Sequence, residues 1–300
     1  MGTVVGSNLS GKPSWFGVAF RYRGSVIPEI LPRVIGCGIF GLFIYVLHYL
    51  KVRVSFPVLG TLIPNLVLGL LLVFRTNTAY ERYWEGRKAW GSIINHIRNL
   101  ARQILVTIQS HDTETEKIAA LHLLAAFAIA CKLHLRGEPI NPELEPLMSP
   151  YQYQKLQSMN HPPLEIMFWL SEYLQTSYKR GQIQIYQLNS LHSLVNNLVD
   201  ALGSCERIKN TPIPLAYAIH LKQLLLIYCL SLPFQMVDQI EWLTPIVVAL
   251  ISFTLLGIEE IGIQIEDPFG RDSHDLPLDA ICKNILRNLR DLIDVYVTAV

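Results

Sequence analysis

The chain has 300 residues, 51% of them hydrophobic and 16% charged, with a net charge of +1 and a mean hydropathy of +0.31. Soluble domains average about 25% charged residues, so this balance points to a membrane protein. Its positive charges are scattered, which excludes a nucleic-acid partner held by phosphate neutralisation, since that needs a basic patch.

Residues 1–28 are polar and Gly-rich, and Lys12, Arg21, Arg23 and then Arg33 make a basic arm expected on the cytoplasmic side. Met1 to Phe16 lacks the cationic, apolar and cleavage regions of a removable signal, and none is expected. Val34 to Leu50 is a first apolar span, short and Gly-containing, with His48 near its end. After a short connection, Phe56 to Phe74 is uncharged over about 19 residues, roughly 28 Å of helix and close to a bilayer's hydrocarbon thickness. From Arg75 the helical pattern continues, with Glu81, Arg82, Glu85, Arg87 and Lys88 set among Tyr80, Tyr83, Trp84 and Trp90. Aromatics and cations gathered in this way mark a helix leaving lipid for an aqueous domain. Pro64, followed by Asn65, is expected to kink or break the helix by removing a backbone bond.

Between Gly86 and Gly203 the chain reads as helical and soluble in character. Thr113 and Glu116 form a capping box ahead of the apolar run IAALHLLAAFAIACKLHL, which ends at Gly137. His122, Lys132 and His134 interrupt that run, so a buried core helix fits it better than a membrane span. Glu138 to Pro163 is Pro-rich and reads as loop with a short helical piece. Pro163 to Arg180 and Gln182 to Leu202 are amphipathic helices divided by Gly181, the second closed by Gly203. Leu215 to Phe234 is a third span, with His220, Lys222 and Gln223 near its start. Leu243 to Ile258 is a fourth, followed at once by Glu259 and Glu260. The hairpin between these two holds Asp238 and Glu241 and no Lys or Arg, and residues 277–297 make a closing amphipathic helix. Five widely spaced cysteines (Cys37, Cys131, Cys205, Cys229, Cys282) without a CxxC read as structural free thiols.

The expected fold is therefore all-α and integral to a membrane, with spans at about 34–50, 56–74, 215–234 and 243–260. A helical region over 75–212 and a C-terminal segment over 261–300 lie in the aqueous phase. Lys and Arg are rich in the amino arm and after Arg75 but missing from the 235–242 hairpin, which puts both termini on the cytoplasmic side, with the Lys51–Arg53 loop running mildly against that.

Three stretches carry a family resemblance. FRTNTAYERYWEGRKAWG, from Phe74 to Gly91, resembles the signature of the bestrophin ion channels. IEDPFGRDSHDLPL, from Ile265 to Leu278, resembles the Pro-Phe-Gly-acidic segment after that family's last membrane helix, and PIPLAY, from Pro212 to Tyr217, resembles the start of its third membrane segment. Their order and separation fit, and the likeness covers nearly the whole chain. It implies a homopentamer with an axial pore that conducts ions passively, usually chloride or other monovalent anions, and bicarbonate in some photosynthetic members. A bacterial plasma membrane or a thylakoid membrane is then the expected location, with the lipid bilayer, inorganic ions and further copies of the chain as partners.

Leu66, Leu70 and Phe74 recur every four residues and so share one helix face, with Gly69 and Val73 opposite, small enough for close helix contact. On residue spacing alone, such a stripe faces lipid or another helix. The resemblance assigns these three to the hydrophobic neck of the pore, counting back from Arg82, and Ile213 to a second constriction at the cytoplasmic mouth. Glu266, Asp267, Asp272 and Asp275 invite a metal reading. The acidic run that holds calcium in eukaryotic members is here interrupted by Arg271, Ser273 and His274, leaving Asp272 and Asp275. No cofactor and no calcium activation are expected, and these side chains would instead fix the loop through hydrogen bonds. Glu259 and Glu260, at a helix C-terminus, need cationic partners, and Arg75, Arg82 and Arg87 are the candidates. Nine histidines are spread singly, and no Ser/His/Asp set, Gly-rich phosphate loop or HExxH is present, which argues against an enzyme. The alternatives are a cation-conducting member of the same family, a secondary transporter, and a non-conducting membrane scaffold.

Overall fold

The structure, a computed structural model, describes residues 15–19, 21–22, 24–56, 62–109 and 114–299. Among these, every regular element is helical: α1 (Trp15–Ala19), α2 (Ile27–Tyr49), α3 (Leu62–Thr107), α4 (Glu114–Arg136), α5 (Pro150–Gln157), α6 (Pro162–Lys179), α7 (Ile185–Asn210), α8 (Leu215–Ile240), α9 (Thr244–Glu266) and α10 (Leu278–Ala299). Two short 3-10 turns cover Pro142–Leu147 and Glu241–Leu243. The chain divides into two compact units, Met1–Thr76 with Ala216–Gly262, and Asn77–Leu215 with Ile263–Val300.

In the first unit α2 and α9 pack through small residues. A Cβ on Gly41 would stand 3.1 Å from Pro245 Cα, and one on Gly38 would stand 3.4 Å from Ala249 Cβ. Small residues allow the close backbone approach that helices need where lipid offers no hydrophobic drive to associate. Ile44, Val54 and Val237 form one buried cluster, and Leu68, Leu72, Leu221 and Leu225 another. Tyr217 ties α8 to α3 by donating its hydroxyl to the Leu71 carbonyl at 2.9 Å. α2 and the continuous run from Leu215 to Glu266 are long and apolar enough to cross a membrane.

The second unit is built around α4. Its run from Ala120 to Leu135 is almost wholly buried, against α6, α7 and α10. α4 is also long and apolar enough to cross a membrane, but 78% of its most apolar window is inside this unit, as a core helix requires. The neighbours bring matching stripes at helical spacing: Trp90, Ile93, Ile97, Leu100 and Ile104 from α3, and Leu278, Cys282, Ile285 and Leu289 from α10. Burying each Leu or Ile contributes about 1.5–3 kcal/mol, so this face holds α4 despite its two lysines. Lys132, only 3% exposed, is matched by Glu143 at 2.7 Å and Asp279 at 3.0 Å. Arg136 adds a 2.9 Å bond to Asp279. Burial pushes the Asp279 carboxyl up, but the hydrogen bonds from Lys132 and Arg136 outweigh it and hold it down at about 2.

Several boundaries differ from those the sequence suggested. α2 starts at Ile27, so Arg33 lies on a helix rather than in an arm. Pro28 falls in its first turn, where a missing N–H costs nothing. α3 is described from Leu62 onward, directly after residues 57–61, so the kink expected at Pro64 falls at the edge of the described residues. α7 runs through Gly203 to Asn210, because Leu202, Cys205 and Ile208 continue its buried stripe. That burial outweighs the roughly 1 kcal/mol a mid-helix glycine costs. α9 runs to Glu266, so Glu259 and Glu260 are interior to the helix and the end-of-helix dipole does not act on them. Thr113 of the expected capping box lies outside the described residues, as does the start of the second apolar stretch at residues 57–61.

Candidate functional site

On α3, within the first unit, Leu66, Leu70 and Phe74 are 70%, 53% and 56% exposed. Leu68 and Leu72, two positions round the helix, are buried against Leu221 and Leu225 of α8. Gly69 and Val73 are exposed as well, and nothing lies within 4 Å of a Cβ built on Gly69. Among the described residues of this chain Gly69 and Val73 meet no other helix, and it is the bulkier Leu68–Leu72 flank that faces α8. What remains is one uncharged, apolar strip of side chains without cover in this chain, bounded below by Arg75, which is buried with its Cγ 3.6 Å from where a Gly262 Cβ would sit.

In the same unit Arg33 Nη1 approaches Glu260 at 3.2 Å and Glu259 at 3.9 Å. Arg33, and not Arg82 or Arg87, supplies the ion pair these two buried carboxylates require. Its place at the end of the basic amino arm hid it. Arg75 and Lys222 act on Glu259 through charge. Arg82 and Arg87 belong to the second unit.

There, three segments remote in sequence meet at one arginine. Arg82 Nε donates to the Glu266 carbonyl at 3.1 Å, Nη2 to the Ile208 carbonyl at 2.7 Å, and Nη1 to the Thr211 carbonyl. A cation on the last carbonyls of α7 and α9 satisfies both helix ends and their dipoles. Glu266 Oε1 in turn accepts the Ile213 N–H at 3.0 Å, so the turn before α8 is pinned by its backbone while the Ile213 side chain stays half-exposed. Gly86, one turn beyond Arg82, makes room for the following loop: a Cβ there would be 2.9 Å from Pro268 and 3.2 Å from Phe269. Phe269 is fully buried, its carbonyl and that of Gly270 accepting from Arg136.

The acidic loop is tied to itself. Asp267 Oδ1 accepts the Phe269 N–H at 3.1 Å, Asp275 Oδ2 accepts the Asp272 N–H at 2.6 Å, and Leu276 N–H reaches the Pro268 carbonyl at 2.9 Å. Burial pushes the Asp275 carboxyl up to about 6. Among the described residues, Asp272 and Asp275 join no group of three side chains able to share an ion. One such group does exist elsewhere: His134, His161 and Glu206. His134 Nε2 and His161 Nε2 lie 2.7 Å and 2.8 Å from the same Glu206 Oε1. These residues are 72 and 45 positions apart from Glu206, so no spacing pattern announced them.

Long apolar helices, an uncovered apolar strip and a helical second unit with its own buried core define the chain as a helical membrane protein. Residues 8–291 match the model of the bacterial and fungal bestrophin proteins. The chain is 61% identical over 283 residues to a voltage-dependent anion channel-forming protein of Nostoc, covering 94% of this chain and 92% of that one. It is 53% identical to one of Synechocystis with the same coverage, and 30% identical to the YneE protein of Escherichia coli over 93% of this chain and 92% of that one. A crystal structure of a bacterial bestrophin homologue from Klebsiella pneumoniae is similar with a TM-score of 0.81 at 25% identity, over 88% of this chain and 98% of that one. The chain belongs to the bestrophin family.

Proposed function

We propose that this chain is the subunit of a homopentameric, passive anion channel whose four helical spans cross a plasma or thylakoid membrane with both termini on the cytoplasmic or stromal side. The observation that carries this reading is the Leu66–Leu70–Phe74 strip: apolar, uncharged and uncovered on one flank of α3 while the other flank is packed. Five copies facing an axis turn such strips into rings, and a hydrophobic ring gates conduction by losing its water. One chain's helices cannot enclose a pore lined by α3 alone, so self-association follows from the assignment. Ile213, its N–H held by Glu266, forms a second constriction at the aqueous mouth. The names of the Nostoc and Synechocystis relatives favour anions, chloride first and bicarbonate next. The acidic loop works as a structural clasp, so conduction needs no calcium.

The test is the reversal potential of the purified protein in a planar bilayer under a KCl gradient. A value near the chloride equilibrium potential supports the anion channel, and its persistence with a calcium chelator supports the clasp reading. A value near the potassium potential would make this a cation channel. Silence from intact pentamers under voltage would overturn conduction in favour of a scaffold.

A further inference from the structure

We infer that His134, His161 and Glu206 form a binding site for a divalent cation of the zinc class, which fastens the ends of three helices in the second unit.

Three elements converge here. His134 lies in the last turn of α4, His161 is the residue that opens α6, and Glu206 lies in the final turns of α7. Their ligand atoms are all within 4.8 Å of one another. Both imidazoles aim Nε2 at one carboxylate oxygen, and the rings lie 4.5 Å apart, tilted by 38°. Two imidazoles and one carboxylate with a fourth direction open is a ligand set used by catalytic zinc sites, water supplying the last bond. Metal bonds of about 2.0–2.1 Å at tetrahedral angles put ligand atoms about 3.3 Å apart, so each His–Glu contact has to widen by roughly half an ångström. All three side chains are half-buried, which leaves a route for an ion to enter. Two nitrogen donors select zinc, nickel, cobalt or copper over calcium and magnesium, which want oxygen.

The hydrogen bonds around the site allow the exchange. Without metal, His161 Nδ1 accepts the Leu164 N–H at 3.2 Å, which fixes the proton on Nε2, where it donates to Glu206. Binding a cation at Nε2 moves that proton to Nδ1 and ends the cap. The Leu164 N–H keeps a partner, because it also reaches the His161 carbonyl at 3.1 Å. His134 is steadied from behind by Lys209, whose Nζ donates to the His134 carbonyl at 3.0 Å.

The test uses the intact oligomer in detergent, stripped with EDTA and then dialysed against micromolar zinc. We expect one zinc per chain in the unaltered protein. His161→Ala and Glu206→Gln should each weaken binding by at least tenfold, since changes in outer-shell partners alone cost about 10–100-fold. His122→Ala and His192→Ala should leave it unchanged. X-ray absorption of the zinc-loaded unaltered protein should show nitrogen and oxygen at about 2.0–2.1 Å with imidazole scattering, a readout that does not depend on how the variants fold. Stripped protein that takes up no zinc, equal uptake by E206Q, or a sulfur shell at about 2.3 Å would each overturn the site.

Discussion

Arg33 Nη1 lies 3.2 Å from Glu260 Oε2, joining α2 to α9 across 227 residues of sequence. The two carboxylates it serves have side chains only 4% and 9% exposed, whereas Arg33 itself is half in solvent. Replacing Arg33 with Gln leaves buried Glu260 without its ion-pair partner and weakens the charge support of Glu259, which Lys222 and Arg75 share. The expected loss is about 2–3 kcal/mol, below the 3–5 kcal/mol of a fully buried pair because solvent reaches the guanidinium. Thermal melting of Arg33→Gln in detergent should show it, and Glu260→Gln added on top should recover part of it. A strictly additive double mutant would mean the pair is not coupled.

Gly86 has the Pro268–Phe269 loop pressed against it. Gly86→Ala forces ring and loop apart and should cost about 1–3 kcal/mol by overpacking. A lowered melting temperature together with faster proteolytic cleavage in 268–276 is the expected result; an unchanged loop would show that the contact yields freely.

Two leucines on the same helix should behave oppositely. Leu70→Ala, or Phe74→Ala, removes exposed bulk and should leave the stability of the subunit nearly unchanged while raising single-channel open probability. Leu68→Ala removes a side chain packed on Leu221 and Leu225 and should cost about 2–4 kcal/mol. Unaltered currents in both Leu70→Ala and Phe74→Ala would sink the neck assignment.

Asp275 gives a pH signature. Its carboxyl is pushed up to about 6 by burial, so the folded protein holds this proton more tightly than the unfolded chain does. That contribution to stability is full below the ordinary carboxylate value and is lost as pH rises through about 6. Asp275→Asn keeps an oxygen for the Asp272 N–H and cannot ionise. It should raise stability at pH 7 by about 1 kcal/mol, after allowance for the solvent that reaches the group, and leave it unchanged at pH 4.

Asp279 has the opposite sign. Held at about 2, it stabilises the fold above the ordinary carboxylate range and gives that stability up as pH falls through about 2. Lys132→Met removes its buried partner, and should cost about 1–2 kcal/mol at pH 7 while shrinking the loss on acidification. An unchanged acid limb of the stability curve would show that Arg136 alone holds the carboxylate.

Much of the architecture was legible because it is written in local pattern. The α4 run, cut by His122, Lys132 and His134, read as a core helix, and the structure buries it. The amphipathic α6 and α10 were found within a residue or two. What escaped were decisions made by distant partners. Gly203 looked like a stop until burial of Cys205 and Ile208 carried α7 past it. Glu259 and Glu260 looked like the end of a helix, and their cation was sought at the same membrane face, at Arg75, Arg82 and Arg87, whereas Arg33 makes the ion pair and Arg75 acts on Glu259 through charge. The histidines looked solitary because the fold alone brings His134 and His161 to Glu206.

The sequence by itself determined that this is a helical membrane protein of the bestrophin family, that Leu66, Leu70 and Phe74 lie on one face, and that the three motif segments belong together. Those properties follow from composition, helical period and wording, which are local. Tertiary structure alone decided which flank of α3 is packed and which is left bare, which arginine meets the buried glutamates, and that Arg82, Glu266 and Ile213 share one knot. Each of these depends on contacts between residues from 53 to 227 positions apart, and no local pattern encodes that distance.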